Sequence, residues 1–189
     1  MRTIARISAL TLLLLGFAAP AVADKYADTV QLFKDAGASA QFFGKSYGYA
    51  VFPTVGKAGL GIGGARGEGR VYAGGEYVGD TTLTQISIGF QAGGQAYSQI
   101  IFFKDKRAFD EFTSGNFEFG AQASAVVVTA AASAGAGTTG AQAGASGGKK
   151  DAATVGEFYK GMATFIIAKG GLMYEASVGG QKFSYKPKG

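Results

Sequence analysis

The sequence predicts an α+β protein: a curved, glycine-rich antiparallel β-sheet or barrel that carries a few short helices. Three observations predict it. Apolar residues recur at helical spacing only over Asp24 to Phe43 and Asp105 to Phe112, and elsewhere from Tyr47 onward the period falls to two. Thirty-two glycines stand against three prolines, and they sit among alternating apolar residues, where glycine relieves crowding at bends and bulges. There is no cysteine, so packing alone has to hold the fold.

The chain opens MRTIARISALTLLLLGFAAPAVA. Arg2 and Arg6 make a positive start, Ile7 to Phe17 a short apolar run, and Ala21-Val22-Ala23 a small-x-small cleavage site. The run is shorter than the roughly 20 residues that span a bilayer. The expectation is a signal peptide over 1–23, cleaved after Ala23, and a mature chain from Asp24 to Gly189 working in the periplasm. With no cysteine after the run, a lipoprotein anchor is excluded.

Residues 24–46 form the first mature segment. Tyr26, Val30, Phe33, Ala36 and Ala40 repeat at three- and four-residue spacing, and Gly37 and Gly44 break the pattern, so one amphipathic helix or two short ones are expected. Residues 47–189 form a β-rich domain. Tyr47 to Phe52 reads as a strand ended by Pro53. Leu60 and Ile62, alternating with Gly59, Gly61 and Gly63, read as a strand with one bare face. Arg70 to Tyr72 and Glu76 to Val78 flank Gly74-Gly75 as a hairpin. Ile86, Ile88 and Phe90 alternate with Gln85, Ser87 and Gln91, and Tyr97 to Phe103 ends as a buried strand would. Asp105 suits a helix N-cap and Gly115 the C-terminal stop. Phe117 to Val128 returns to strand, and Ala131 to about residue 150 is a low-complexity loop. Met162 to Ala168, Leu172 to Val178 and Gln181 to Tyr185, separated by double-glycine turns, predict a β-meander.

Composition excludes more chemistry than it suggests. Without cysteine or histidine there is no thiolate nucleophile, no zinc-thiolate site and no Ser-His-Asp or Cys-His machinery. Gly59 to Gly64 spells G-x-G-x-x-G, but Gly67 and Gly69 follow at once where a phosphate-binding helix would have to start. Gly144 to Gly148 matches G-x-S-x-G with no base to serve it, and Ser146 to Lys149 spells S-x-x-K in a glycine tract rather than on a rigid helix. Asp110 and Glu111 are adjacent on a helix and point apart, and Glu118 and Glu175 fall on separate strands. The reading is a protein that is no enzyme, with no metal site and no cofactor.

The full chain has 18 Lys plus Arg against 13 Asp plus Glu. Arg2 and Arg6 leave with the leader, and an excess of +3 remains, too small for a nucleic-acid partner. Lys45, Lys57, Arg66 and Arg70 fall in the first β section, and Lys104, Lys106 and Arg107 open the internal helix. Near an anionic bilayer each contributes about 1 kcal/mol. Phe42 and Phe43, at the end of the helical segment, are candidates to insert beside them.

Several separated blocks closely resemble the SYLF domain in its bacterial form. They are KSYGYAVFPTVGKAGLGIGGARGEGRVY, GDTTLTQISIGFQAGGQAYSQIIFF, the F-x-S-G-N-F-E-F-G-A-Q-A-S stretch from Phe112, and the closing KGMATFIIAKGGLMYEASVGG. The likeness runs from Tyr47 to Tyr185. It implies a non-enzymatic lipid-binding module with a curved glycine-rich sheet or barrel and a few helices. In eukaryotic relatives the domain binds phosphoinositide membranes, and a fungal branch is linked to actin binding and bundling. In an exported bacterial chain neither phosphoinositides nor actin is expected, and an anionic phospholipid or another envelope amphiphile takes their place. The chain departs from the family pattern at Gln122, where relatives often carry an acid, and in the tract from Ala131. Two other readings stand beside it: a small outer-membrane β-barrel, from the alternating strands, and a self-associating structural envelope protein, from the Ala/Gly/Ser tract that with the flanking Val126 to Val128 can pair edge to edge.

Overall fold

The computed structural model describes residues 24–60, 62–88, 93–121, 123, 125–128, 158, 160–169 and 178–189. The expected leader, the low-complexity tract, Gln122 and the predicted strand at 172–177 lie outside them.

The helical signals act locally. Asp24 caps α1 (Lys25–Asp35), its Oδ1 accepting the Tyr26 N–H at 3.0 Å. Ala36 is extended and turns the chain into α2 (Gly37–Ala40). The buried Ser39 hydroxyl donates to the Phe33 carbonyl at 2.6 Å and pins that corner. Asp105 caps α3 (Lys106–Thr113) by accepting the Ala108 N–H at 2.9 Å, and Gly115 follows at φ +87°. Both helical segments therefore form where the spacing places them.

The strands are β1 (Gly48–Leu60), β2 (Ile62–Ala73), β3 (Glu76–Ile88), β4 (Gly93–Phe103), β5 (Phe117–Glu118), β6 (Val126–Val127), β7 (Met162–Lys169) and β8 (Gln181–Pro187). They make one sheet in the order β5-β8-β3-β2-β1-β4-β7-β6. Every pairing is antiparallel except β6 with β7. The Gly74-Gly75 hairpin forms as expected, with φ at +58° and +87°.

Three expectations need correction. Pro53 does not end the first strand: β1 continues to Leu60, and the register with both neighbours shifts between residues 51 and 55. A bulge there gives proline, which has no N–H to donate, a place inside a central strand. Leu60 and Ile62 do not share a strand. They end β1 and begin β2, opposite one another across a tight reversal. Phe117 to Val128 is not one strand either, because β5 pairs with β8 and β6 with β7, on opposite sides of the sheet.

Of the expected meander, β7 joins β4 and β8 joins β3, and the stretch between them lies outside the described residues. Their side chains explain the separation. Met162 to Ile167 are all buried, so β7 needs cover on both faces, whereas β8 alternates buried and exposed and tolerates water on one face.

The sheet curls into a half-barrel. β8 and β4 stand four strand intervals apart, about 19 Å in a flat sheet, yet Gln99 on β4 donates to Gln181 on β8 at 2.9 Å. The concave side holds Phe52, Val55, Val71, Leu83, Ile101 and Phe103, closed at one end by Ala108 and Phe112 of α3. The convex side carries α1, whose Tyr26, Val30 and Phe33 pack with Val51, Ile100, Phe102 and Phe165. The helical segment therefore docks on the sheet, and the sheet is open, not a closed barrel.

Aromatic rings crowd the convex interface. Tyr49 stacks on Tyr72 with centroids 5.0 Å apart. Burial, helped by Tyr72, pushes the Tyr49 hydroxyl up to about 12, and burial also raises Tyr72, Tyr97 and Tyr185. A raised phenol favours the folded state fully below pH 10, and that contribution is lost as pH climbs from 10 through the folded value. Stability is expected to fall steeply between about pH 10 and 12, with tyrosinate absorbance appearing together with unfolding. Full tyrosine ionisation with the fold intact would contradict this.

Candidate lipid-facing site

Among the described residues the convex face is only partly covered: α1 sits over β1, β4 and β7 and leaves the far ends of β2 and β3 exposed. Alternation around Leu83 decides what shows there. Leu83 and Gln85 point into the concave side and are buried, so Ile86 points out. Ile86 is 82% exposed and Ile62 72% exposed. Ile86 lies opposite Gly64 on β2, two residues from Ile62, so the two side chains share one face of adjacent strands. Apolar alternation alone would send Ile86 to the core, and the structure inverts it: the amide is inside and the isoleucine outside. Inversions of this kind cluster at functional positions.

Cations adjoin this pair. Arg66 is exposed on the same face of β2, four residues from Ile62 and opposite Thr84. It makes no ion pair among the described residues. With Lys25, Thr54 and Glu68 it lines a shallow depression beside the start of α1. Lys169 reaches the same spot and donates to the Thr54 hydroxyl at 2.9 Å. Three cations therefore face one carboxylate next to two exposed isoleucines.

The other predicted positions scatter. Phe42 is a core ring and not a surface one: it is 2% exposed, with centroids 4.9 Å from Phe165 and 5.6 Å from Phe102. Phe43 is half-buried against Tyr49 and Phe102, at 5.3 and 4.9 Å. Neither is placed to insert beside the cations, because the spacing that put them on the apolar helix face also commits them to the sheet.

Arg70 is a structural cation. It pairs with Asp24 at 3.1 Å and lies 4.2 Å over the Tyr26 ring and 5.0 Å over Tyr77, tying α1 to β2. Lys106 meets Asp110 at 2.7 Å, which raises its affinity for its proton, and Arg107 meets Glu111 at 3.4 Å. The α3 charges are thus balanced on their own helix. Lys104 is exposed without an ion pair among the described residues, and Lys45 donates to Gln41 at 3.1 Å. Tyr47 and Phe109, 5.4 Å apart, bring the Lys45 turn to α3 at one end of the sheet. Lys57 lies toward the other end on the concave face, opposite Ala65. Lys57 and Arg66 therefore point to opposite sides. Ile62, Ile86, Lys25 and Lys169 are the positions that sequence reasoning missed. The signal available for Ile86 was its phase relative to Leu83.

Among the described residues, no group of three or more Asp or Glu side chains could hold a metal ion. No described helix is long and apolar enough to cross a membrane.

The protein Beta cell expansion factor A of Aeromonas veronii is 29% identical over 168 residues, which are 83% of this chain and 53% of that protein. The chain thus spans about half the length of that relative. The family model of Ysc84, described as Las17-binding protein actin regulator, matches residues 84–188. That match starts inside β3 and runs past β8, so the Tyr47 to Leu83 blocks lie before it but complete the same sheet. The family is generally non-enzymatic and is linked to lipid and actin binding. With more than half of its length matched, the chain belongs to the Ysc84 family, that of the SYLF domain.

Proposed function

We propose that this chain is a non-enzymatic lipid-binding protein of the periplasm that rests its convex face on anionic membrane surfaces. The observation that carries the reading is the exposed Ile62 and Ile86 pair beside Arg66, Lys25 and Lys169. Isoleucines exposed to this degree gain by leaving water, and neighbouring cations hold them against anionic headgroups. An anionic phospholipid fits this compartment better than a phosphoinositide, and actin has no place there. A transmembrane barrel is disfavoured, because α1 occupies the convex face that a barrel turns to lipid.

Co-sedimentation of residues 24–189 with neutral and anionic vesicles, across a salt series, tests the reading. Binding is expected only to anionic vesicles and to weaken with salt. Replacing Arg66 and Lys169 together by glutamine is expected to cost about 2 kcal/mol, or roughly 30-fold in partitioning. Ile62→Ser with Ile86→Ser is expected to abolish binding while leaving the thermal midpoint unchanged. Equal binding by all these variants would remove the convex face from the account. Sedimentation without lipid that rises with protein concentration would favour self-association.

A further inference from the structure

The inversion at β3 also leaves its mark on the concave side. Gln85 is 8% exposed, and its amide N–H donates to the Gly179 carbonyl at 2.7 Å. That bond fixes the amide orientation, and the Gln85 Oε1 is then a buried acceptor with no partner among the described residues. A buried polar atom left unmatched costs about 1–3 kcal/mol, so such atoms mark places where something else belongs.

Beside it, on β8, Gln181 is the register partner of Gln85. Its Nε2 donates to the Tyr97 hydroxyl at 3.2 Å, and that hydroxyl, 2% exposed, has no acceptor for its own proton among the described residues. Gln181 thus links a strand neighbour with one unspent acceptor, Gln85, to a ring with one unspent donor, Tyr97. A group that both donates and accepts, a hydroxyl, satisfies both.

One strand further, past the small Ala65, stands Lys57. Gln85, Ala65 and Lys57 are successive register partners on β3, β2 and β1 and face the same side. Lys57 is half-buried and has no ion pair among the described residues. Two strand spacings, about 10 Å between backbones, separate it from Gln85, a gap that a lysine side chain is long enough to narrow.

We propose that the concave mouth of the half-barrel binds a hydroxyl-bearing phosphate of the glycerol phosphate class. A ligand hydroxyl bridges Gln85 and Tyr97, and the phosphate meets Lys57. The site lies on the face opposite to Ile62 and Ile86 and stands whether or not the convex face meets a membrane. The ligand is supplied either free or as a phospholipid headgroup.

Calorimetric titration of residues 24–189 with glycerol phosphate, and with propyl phosphate as the matched probe without hydroxyls, tests it. Glycerol phosphate is expected to bind at least about tenfold tighter than propyl phosphate, the range set by leaving one buried polar group unmatched. Lys57→Met is expected to weaken glycerol phosphate at least tenfold. Gln85→Met is expected to bring glycerol phosphate down to the level of propyl phosphate. Should Gln85→Met fail to fold, Lys57→Met and the two-probe comparison carry the test. The headgroup source is read with phosphatidylglycerol vesicles: binding to these alone, lost in Lys57→Met but kept in Ile62→Ser/Ile86→Ser, supports the site with lipid as its supplier. Equal affinity for both probes, or glycerol phosphate binding unaffected by Lys57→Met, overturns it. Loss of vesicle binding in the isoleucine variant alone leaves this site standing and concerns only the convex face.

Discussion

Phe102→Ala is expected to destabilise the protein by about 3–5 kcal/mol, the usual cost of deleting a fully buried ring. Phe102 is wholly buried at the junction of helix and sheet, with centroids 4.9 Å from Phe43, 5.6 Å from Phe42, 5.8 Å from Phe165 and 6.1 Å from Tyr49. These rings come from the α2 end, β1, β4 and β7, so a collapse that filled the cavity would have to move four elements at once. Phe43→Ala, at a half-buried ring of the same cluster, is expected to cost less. Urea unfolding followed by far-ultraviolet dichroism checks both, since the chain has no tryptophan to report. A loss below about 1 kcal/mol for Phe102→Ala would mean that α1 and α2 are not held by the sheet. If instead the helices belong on a bilayer, Phe102→Ala should free them and raise vesicle binding.

The local parts of this fold are readable from residue types, because their causes are local. Asp24 and Asp105 cap helices within three residues of themselves, Gly115 takes a positive φ just past α3, and Gly74-Gly75 makes its own turn. What escapes a pattern reading is decided at long range. Pro53 sits inside a strand only because β2 and β4 both shift register there. The placement of β7 and β8 follows from which stretch of sheet the helices cover, and adjacency in sequence carries no trace of it. The tight reversal at Leu60 and Ile62 looks in sequence like continued alternation, since glycines on both sides keep the period.

The site shows the same division. Basic residues can be counted in a sequence, but not their partners. Asp24 takes Arg70, while Asp110 and Glu111 take Lys106 and Arg107. Arg66 has the neutral Gly56 and Thr84 as strand neighbours and makes no ion pair among the described residues, though Glu68 shares its depression. Lys169 joins it only through the β1 bulge at Thr54, 115 residues away in the chain. For Ile86 and Gln85, hydropathy and phase disagree, and the phase set by Leu83 wins because a strand cannot turn one residue over without slipping its whole register.

The curl itself rests on a polar contact that can be measured. Gln99 and Gln181 are both fully buried and exchange amide hydrogen bonds, at 2.9 Å from Gln99 to Gln181 and 3.2 Å in return. They join strands that a flat sheet would keep four intervals apart. Gln99→Leu alone leaves the Gln181 carbonyl oxygen without its donor, and Gln181→Leu alone strips Gln99 of both partners and takes one from Tyr97. Each single change is therefore expected to cost about 1–3 kcal/mol. Gln99→Leu with Gln181→Leu removes both amides together and places two apolar side chains in a core already built of Phe52, Ile101 and Phe183. The double variant is expected to lose less than the sum of the singles by about 1–3 kcal/mol, the coupling of residues in direct contact. Additive losses would place the two amides apart in solution and open the half-barrel. A coupling of the expected size shows that the concave face closes on itself, because the two residues are 82 positions apart in the chain and no flat sheet of this strand order can bring them together.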